Sequence, residues 1–250
     1  MSYSKAEKKV LVLSCMLALM LALPQAAGAM HIMEGYLPLG QCIIWGAVCI
    51  PFLAAGIMKI RRTLQQSRRL LILLAMSGAF IFVISSLKIP SVTGSCSHMT
   101  GTGLGAILFG PAATSVLGII VLIFQAILLA HGGLTSLGAN TFSMAIAGPL
   151  ITWGLYMAGK KLKLNRSVNI FVAAALGDLF TYCVTAMQLA VAYPAESGGI
   201  MASAVKFLGV FAPTQLPLAI IEGLLTVLVI MGLDSLAEPE LNELTLSEGK

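Results

Sequence analysis

Six long apolar segments constrain this chain more than any other feature of its sequence. They run at roughly 41–60, 70–87, 104–130, 139–158, 168–193 and 211–233. A continuous run of about 20 apolar residues is long enough to cross a bilayer as a helix. The runs are continuous rather than alternating, which excludes an outer-membrane β-barrel. With 58% hydrophobic and only 10% charged residues, the composition also excludes a soluble enzyme or a disordered chain. We therefore predict an all-α, polytopic helical bundle in the cell membrane.

The first 29 residues have the pattern of a secretory signal. Three lysines lie within residues 1–9, an apolar core follows at 10–23, and small residues lead to Ala29. A basic region, a short apolar core and an A-x-A site are typical of a cleaved signal peptide. Cleavage after Ala29 makes Met30 the mature N-terminus, outside the cytoplasm. The alternative is an uncleaved first helix.

The basic residues between the segments predict the topology. They concentrate in the loops at 59–69 and 160–166, and the positive-inside rule places both loops in the cytoplasm. A single crossing by 104–130 would move the second basic loop outside. Gly110-Pro111 interrupts that segment, and proline stops a helix, so we expect 104–130 to fold back with both ends outside. Irregular backbone at this depth must be buried in protein or line a cavity.

This topology gives about seven mature transmembrane segments, with the N-terminus outside and the C-terminus inside. The membrane domain is then 30–233, and the polar, acidic residues 234–250 form a solvated cytoplasmic tail. The three histidines of the chain, His31, His98 and His131, all fall on the outer side.

Histidine at the second position of the mature chain predicts a metal chelate. The α-amine of Met30, the amide nitrogen of His31 and its imidazole Nδ1 can occupy three corners of a square. Tetragonal nitrogen ligation suits Ni(II) and Cu(II), and low-spin Co(II) accepts it, whereas Zn(II) prefers a tetrahedron. The alternative is that His31 is an incidental residue near the membrane interface.

A fourth nitrogen has an obvious source in the Gly-, Ser- and Thr-rich loop at 91–103. His98 lies in this loop and is our expected fourth ligand, while Cys96 is a weaker, softer alternative. For His131 and Asn140 we expect structural roles or roles as hydrogen-bond partners of the ligands. The predicted metal ligands are Met30, His31 and His98.

Three ordered motifs carry a family resemblance across the mature chain. They are MHIMEGYLP at 30–38, KIPSVTGSCSHMTGTGLGAILFGP at 88–111 and HGGLTSLGANTFSMAIAGP at 131–149. The chain resembles the substrate-capture subunit of energy-coupling-factor cobalt and nickel transporters, the CbiM/NikM type. The resemblance implies capture of Co²⁺ or Ni²⁺ outside the cell by the amine, amide and imidazole of Met30 and His31 together with His98.

The resemblance also implies partners and a purpose. These are a transmembrane coupling subunit, cytoplasmic ATP-binding subunits and, in cobalt systems, a small accessory membrane subunit, with cobalt feeding cobalamin biosynthesis. No nucleic-acid partner and no organic cofactor are expected. Gly154–Lys161 lacks the Ser/Thr and strand–helix context of a P-loop, so ATP hydrolysis belongs to partners and the chain is not an enzyme. Nickel uptake and an autonomous nickel/cobalt permease remain alternatives.

Two carboxylates lie inside the apolar segments. An ionisable residue at membrane depth is costly, so Asp178 and Glu222 are candidates for function. They can contact the coupling subunit, or they can be hydrogen-bonded structural groups that face the bundle.

Overall fold

The structure is a computed structural model that describes residues 31–90 and 96–248 of the chain. In this part, helices account for nearly all of the regular structure: α1 (Leu39–Gln66), α2 (Leu70–Ser86), α3 (Thr102–Leu129), α4 (Leu137–Lys161), α5 (Arg166–Ala192), α6 (Gly199–Leu236) and α7 (Glu238–Glu248). Two two-residue strands, β1 (Ile89–Pro90) and β2 (Cys96–Ser97), pair antiparallel. The predicted all-α class is confirmed.

The helices have the surface of a membrane protein. Five of the described helices, α1 and α3 to α6, are long and apolar enough to cross a bilayer, and α2 is a shorter apolar helix. Large apolar side chains are exposed on their outer faces, including Ile43 at 63% and Leu128 at 65%. The core between the helices is built from residues such as Leu73, Ile81 and Phe109. Apolar groups on both sides of each helix are expected where lipid replaces water outside.

Helix α3 folds back on itself, as the Gly110-Pro111 pair predicts. Gly110 has φ 81° and ψ 166°, a left-handed conformation that favours glycine. A straight helix of 28 residues would be about 42 Å long. Instead, a Cβ on Gly105 would lie 3.0 Å from Thr114 Oγ1, nine residues later. Two limbs therefore run back from Gly110. The predicted number of segments that cross the membrane, about seven, stays a prediction.

The last membrane helix begins earlier than expected. We predicted a loop at 194–210 and a span from 211, but α6 is a single 38-residue helix that begins at Gly199. The segment from 200 to 208 is rich in Ala, Met, Val, Phe and Leu and contains no glycine or proline, so the helix continues through it. Pro213 and Pro217 lie inside α6 and do not end it.

The acidic C-terminal segment also differs from the predicted solvated tail. Residues Glu238–Glu248 form α7, and Leu244 is buried in the core cluster that contains Leu70. Glu243 accepts a hydrogen bond from Ser67 and pairs with Arg69 at 3.4 Å. The tail is therefore attached to the α1–α2 connection by both apolar and charged contacts.

Two opposite ends of the bundle can now be defined. The histidine face contains His31, His98 and His131. The basic face contains the α1–α2 and α4–α5 connections, which are joined to the C-terminal part by Arg69–Glu243 and Arg166–Asp234. The assignment of the histidine face to the outside stays a prediction. The predicted signal peptide, residues 1–29, lies outside the described residues.

Candidate metal centre

Three imidazoles far apart in the sequence meet on the histidine face. The ring centroids of His31 and His98 are 4.4 Å apart, those of His31 and His131 4.6 Å, and those of His98 and His131 5.0 Å. All three residues are buried: the exposed fraction is 2% for His31, 0% for His98 and 3% for His131. One nitrogen of each ring lies within 4.8 Å of the others, close enough for one metal ion to bridge them.

Asn140 fixes the segment that carries His31. Its Oδ1 accepts the amide N–H of Ile32 at 2.8 Å, and its Nδ2 donates to the Ile32 carbonyl at 3.0 Å. Ser136 donates a second hydrogen bond to the same carbonyl. Because the side-chain amide satisfies both backbone groups of the residue after His31, it sets the position of that histidine as a neighbouring strand would.

Glu34 and the glycine-rich loop after His131 provide a second connection. The Glu34 carboxylate accepts the backbone N–H groups of Leu134 and Thr135. The Thr135 side chain and then these backbone bonds lower the pKa of Glu34. A Cβ on Gly133 would lie 2.5 Å from the Glu34 backbone, so this close approach requires glycine. The residues that follow His31 and His131 therefore pack directly on each other.

The hydrogen bond of His98 leaves one of its nitrogens available. His98 Nδ1 lies 2.8 Å from the carbonyl oxygen of Met99 and must donate its proton there. Its Nε2 is therefore the lone-pair nitrogen, and within residues 31–90 and 96–248 this buried atom has no hydrogen-bond partner. A buried polar atom without a partner is costly, and a metal ion would satisfy this one.

His31 is held through both ring nitrogens. Nδ1 lies 2.7 Å from His131 Nε2, and Nε2 lies 3.1 Å from the sulfur of Met144. A thioether sulfur only accepts, so His31 Nε2 carries the proton and Nδ1 has the lone pair. His131 then donates from Nε2. Met144 lies within a π-helical turn, Thr141–Ala147, and such turns occur often at functional sites.

Burial keeps the three imidazoles neutral. Desolvation lowers the pKa of His98 to about 4 and that of His131 to about 2. The pKa of His31 is lowered well below 6.5, mainly by burial and then by His98 and His131. The positive charge of Lys88 acts in the same direction on all three rings. The lone pairs needed for a metal are therefore not taken by solvent protons at neutral pH.

The structure brings His31 and His98 together as the sequence predicts, while Met30 lies outside the described residues. His131 forms a hydrogen bond with His31, which is one of the roles expected for it. Asn140 has the predicted structural role, because its side chain binds the backbone of Ile32, the residue after His31. The possible role of the Cys96 thiol stays a prediction.

Two contacts were not predicted: that of Met144 with His31 Nε2, and that of Gln215 Nε2, which lies 3.3 Å from the His98 carbonyl oxygen. Methionine in an apolar helix is usually core filler. Gln215 offered a signal, since it is an amide between Pro213 and Pro217 within an apolar run.

Known proteins with this sequence pattern transport cobalt. Residues 31–240 match the family model described as cobalt uptake substrate-specific transmembrane region, CbiM. The chain is 63% identical to the cobalt transport protein CbiM of Lachnoclostridium phytofermentans, and the match covers 98% of each chain. It is 55% identical to that of Moorella thermoacetica, over 94% of this chain and 91% of the relative.

A solved structure has the same fold. The crystal structure of a truncated transition metal transporter superimposes with a TM-score of 0.70 at 28% identity. The superposition covers 81% of this chain and 97% of that one.

The relatives are transport proteins and not enzymes. With its apolar helices, its buried histidines and a match along nearly all of its length, this chain belongs to the CbiM family, the multi-pass membrane component of cobalt uptake.

Proposed function

We propose that the protein captures Co²⁺ on the histidine face, as the substrate-binding subunit of an ATP-driven energy-coupling-factor importer. The amine of Met30, the amide nitrogen and Nδ1 of His31, and Nε2 of His98 are the proposed ligands. The observation that carries the proposal is the buried Nε2 of His98, which lies beside the lone pair of His31 and has no hydrogen-bond partner among the described groups. Both nitrogens belong to neutral rings, so the metal does not need to displace protons from them.

The contacts around the two rings support this ligand set. Met144 accepts from His31 Nε2, and the Met99 carbonyl accepts from His98 Nδ1. Hydrogen bonds to the non-ligating nitrogen commonly fix the tautomer and orientation of metal-binding histidines. In this proposal, the metal replaces the proton that His131 directs at His31 Nδ1.

A second ligand set uses the three imidazoles without the amine. His131 Nε2 can change from donor to ligand if His131 takes its other tautomer. The number of protons released on Co²⁺ binding separates the two sets. The amine and amide set releases about two protons at pH 7, and the three-imidazole set releases close to none. Calorimetry in buffers of different ionisation enthalpy counts these protons, and a count near zero contradicts the proposed set.

The amine ligand requires cleavage of residues 1–29. A native mass spectrum of the protein purified from membranes reports the N-terminus and the bound metal together. We expect a mass that begins at Met30 with one cobalt or nickel ion. A mass that retains residues 1–29, without metal after loading, would exclude this ligand set. Placing one alanine before Met30 should also inactivate the site, because it moves the amine out of the chelate ring.

The proposed partners are a transmembrane coupling subunit, cytoplasmic ATP-binding subunits and a small accessory membrane subunit, with cobalamin synthesis as the use of the metal. Uptake of radioactive cobalt by cells with and without these partners tests this part. We expect uptake to require a functional ATPase partner. Uptake by this chain alone would favour an autonomous permease instead.

Nickel is the alternative substrate of the same site, because square-planar nitrogen ligation suits both ions. Competition between Co²⁺ and Ni²⁺ for the purified protein, followed by uptake of each ion in cells, decides between them. Preferential nickel uptake would contradict the cobalt assignment and leave the capture mechanism intact.

A further inference from the structure

We propose that Asp178 and Glu222 share one proton and, as a pair, hold residues 97–100, which carry His98, where the imidazole can bind the metal. The inference rests on the proposed role of His98 as a ligand. Asp178 lies on α5 and Glu222 on α6. Both are buried, with exposed fractions of 1% for Asp178 and 0% for Glu222. In the described part of the chain, neither carboxyl forms an ion pair with a basic side chain. Two unpaired negative charges at this depth would be very costly.

The hydrogen bonds divide unequally between the two carboxyls. Glu222 accepts the N–H of Thr100 at 2.6 Å through Oε2, and the Thr100 hydroxyl at 2.8 Å through Oε1. Asp178 accepts one hydrogen bond within the described residues, from the Gln215 amide at 2.6 Å through Oδ2. Donors stabilise an ionised carboxylate, so the distribution favours charge on Glu222 and a proton on Asp178.

The remaining oxygen of Asp178 indicates where this proton lies. Oδ1 is buried and has no hydrogen-bond partner among the described groups. Both carboxyls are bound to groups that also contact the residues around His98, Glu222 through Thr100 and Asp178 through Gln215. Two ionised carboxylates can only accept and would repel each other. A single proton on Asp178 Oδ1, donated to Glu222, removes the unsatisfied atom and one of the two charges.

Hydrogen bonds connect the two carboxyls to the backbone of His98 and to Thr100, which follows it. Thr100, bound by Glu222, follows His98 by two residues. The Gln215 Nε2 that binds Asp178 also lies 3.3 Å from the His98 carbonyl oxygen. Ser97 and Thr214 share a hydrogen bond of 2.7 Å. The residues around His98 are thus fixed to α6, and through Asp178 to α5.

Two conservative substitutions have opposite expected effects. Asp178→Asn keeps the shape of a protonated carboxyl, since its NH₂ can donate to Glu222 and its oxygen can accept from Gln215. We expect its Co²⁺ affinity to stay within about threefold of the unmodified protein. Glu222→Gln places an NH₂ against the donors of Thr100, and we expect a loss of about 10- to 100-fold, as for other partners that orient metal ligands. Asp234→Asn, on the exposed end of α6, is the matched control and should bind normally.

The measurements are Co²⁺ affinity by competition with a chromophoric chelator and infrared spectroscopy of the metal-free protein. We expect the C=O band of a protonated carboxylic acid at neutral pH, and we expect Asp178→Asn to remove it. Absence of the band, its retention in Asp178→Asn, or equal affinities of Glu222→Gln and the unmodified protein would each overturn the proposal. Thermal unfolding of each variant identifies any that fail to fold, and for these the band in the unmodified protein decides.

The infrared result does not depend on metal. If His98→Ala binds Co²⁺ normally, the proposed ligand set fails whether or not the band is present. If His98→Ala loses binding and the band is absent, only the shared proton fails.

Discussion

The two ends of the bundle are held together in different ways. On the histidine face, buried polar groups from distant segments contact each other without solvent, as Asn140 contacts Ile32 and His31 contacts His131. On the basic face, the ion pairs are largely exposed, with side-chain exposures of 72% and 31% for Arg69–Glu243. Exposed ion pairs contribute little and are screened by salt, whereas buried networks are costly to disrupt. The histidine face is therefore fixed by buried contacts between its own groups, while the basic face is held by weaker, exposed ion pairs.

The largest expected effect is the loss of metal binding in His31→Ala. This change removes the imidazole and alters the chelate, so we expect Co²⁺ affinity to fall by more than about 100-fold, beyond the loss typical of residues that only orient ligands. Competition with a chelator measures it, with Met33→Ala as the neighbouring control. High-affinity binding by the His31→Ala protein would contradict the proposed site.

Two asparagines, one at each end, sharpen the comparison. Asn140→Ala leaves the backbone N–H and carbonyl of Ile32 without the side-chain amide, and we expect a cost of about 1–3 kcal/mol together with weaker Co²⁺ binding. Asn165 caps α5 on the basic face, where its side chain accepts from Ser167 and Val168. Asn165→Ala should cost about 1 kcal/mol and leave binding unchanged. Equal effects of the two changes on metal affinity would argue against a preorganised histidine face.

A smaller effect should appear in the pH dependence of the metal-free protein. Burial lowers the pKa of His98 to about 4, from 6.5 in the unfolded chain. Between these values the unfolded chain gains a proton that the folded protein excludes. The stability from this neutral ring is complete above pH 6.5 and is lost as the pH falls toward 4. Thermal unfolding in detergent should show a shallower decline for His98→Gln, and identical profiles would contradict a buried neutral ring.

The smallest expected effect is on the basic face. Arg166 pairs with Asp234 at 2.6 Å, but the side chains are 60% and 33% exposed. Arg166→Gln should lower stability by less than about 1 kcal/mol, with the difference shrinking at high salt. Thermal unfolding at two salt concentrations measures this. A loss comparable to that of Asn140→Ala would remove the contrast between the two ends.

Some tertiary features of the site were predictable from local signals. The break at Gly110-Pro111 predicted that α3 folds back, because proline cannot continue the hydrogen-bonding pattern and glycine adopts the positive φ. The positions of the basic loops then placed all three histidines at one end. The helical tail was not predicted, because its few apolar residues are buried only against Leu70 and its neighbours.

The sequence by itself determined the apolar helices and the fold-back of α3, since these follow from hydropathy, glycine and proline. Charge placed the histidines at one end, and the chelate chemistry of His31 then indicated His98 as its partner. Only the tertiary structure decided that His131 bonds to His31 rather than to His98, that Met144 accepts from the His31 ring, and that Asp178 and Glu222 are both connected to the residues around His98. In each of these hydrogen bonds the two partners are 37 to 122 residues apart in the sequence. Contacts of this kind depend on how whole helices pack, and local periodicity carries no information about which side chains then meet.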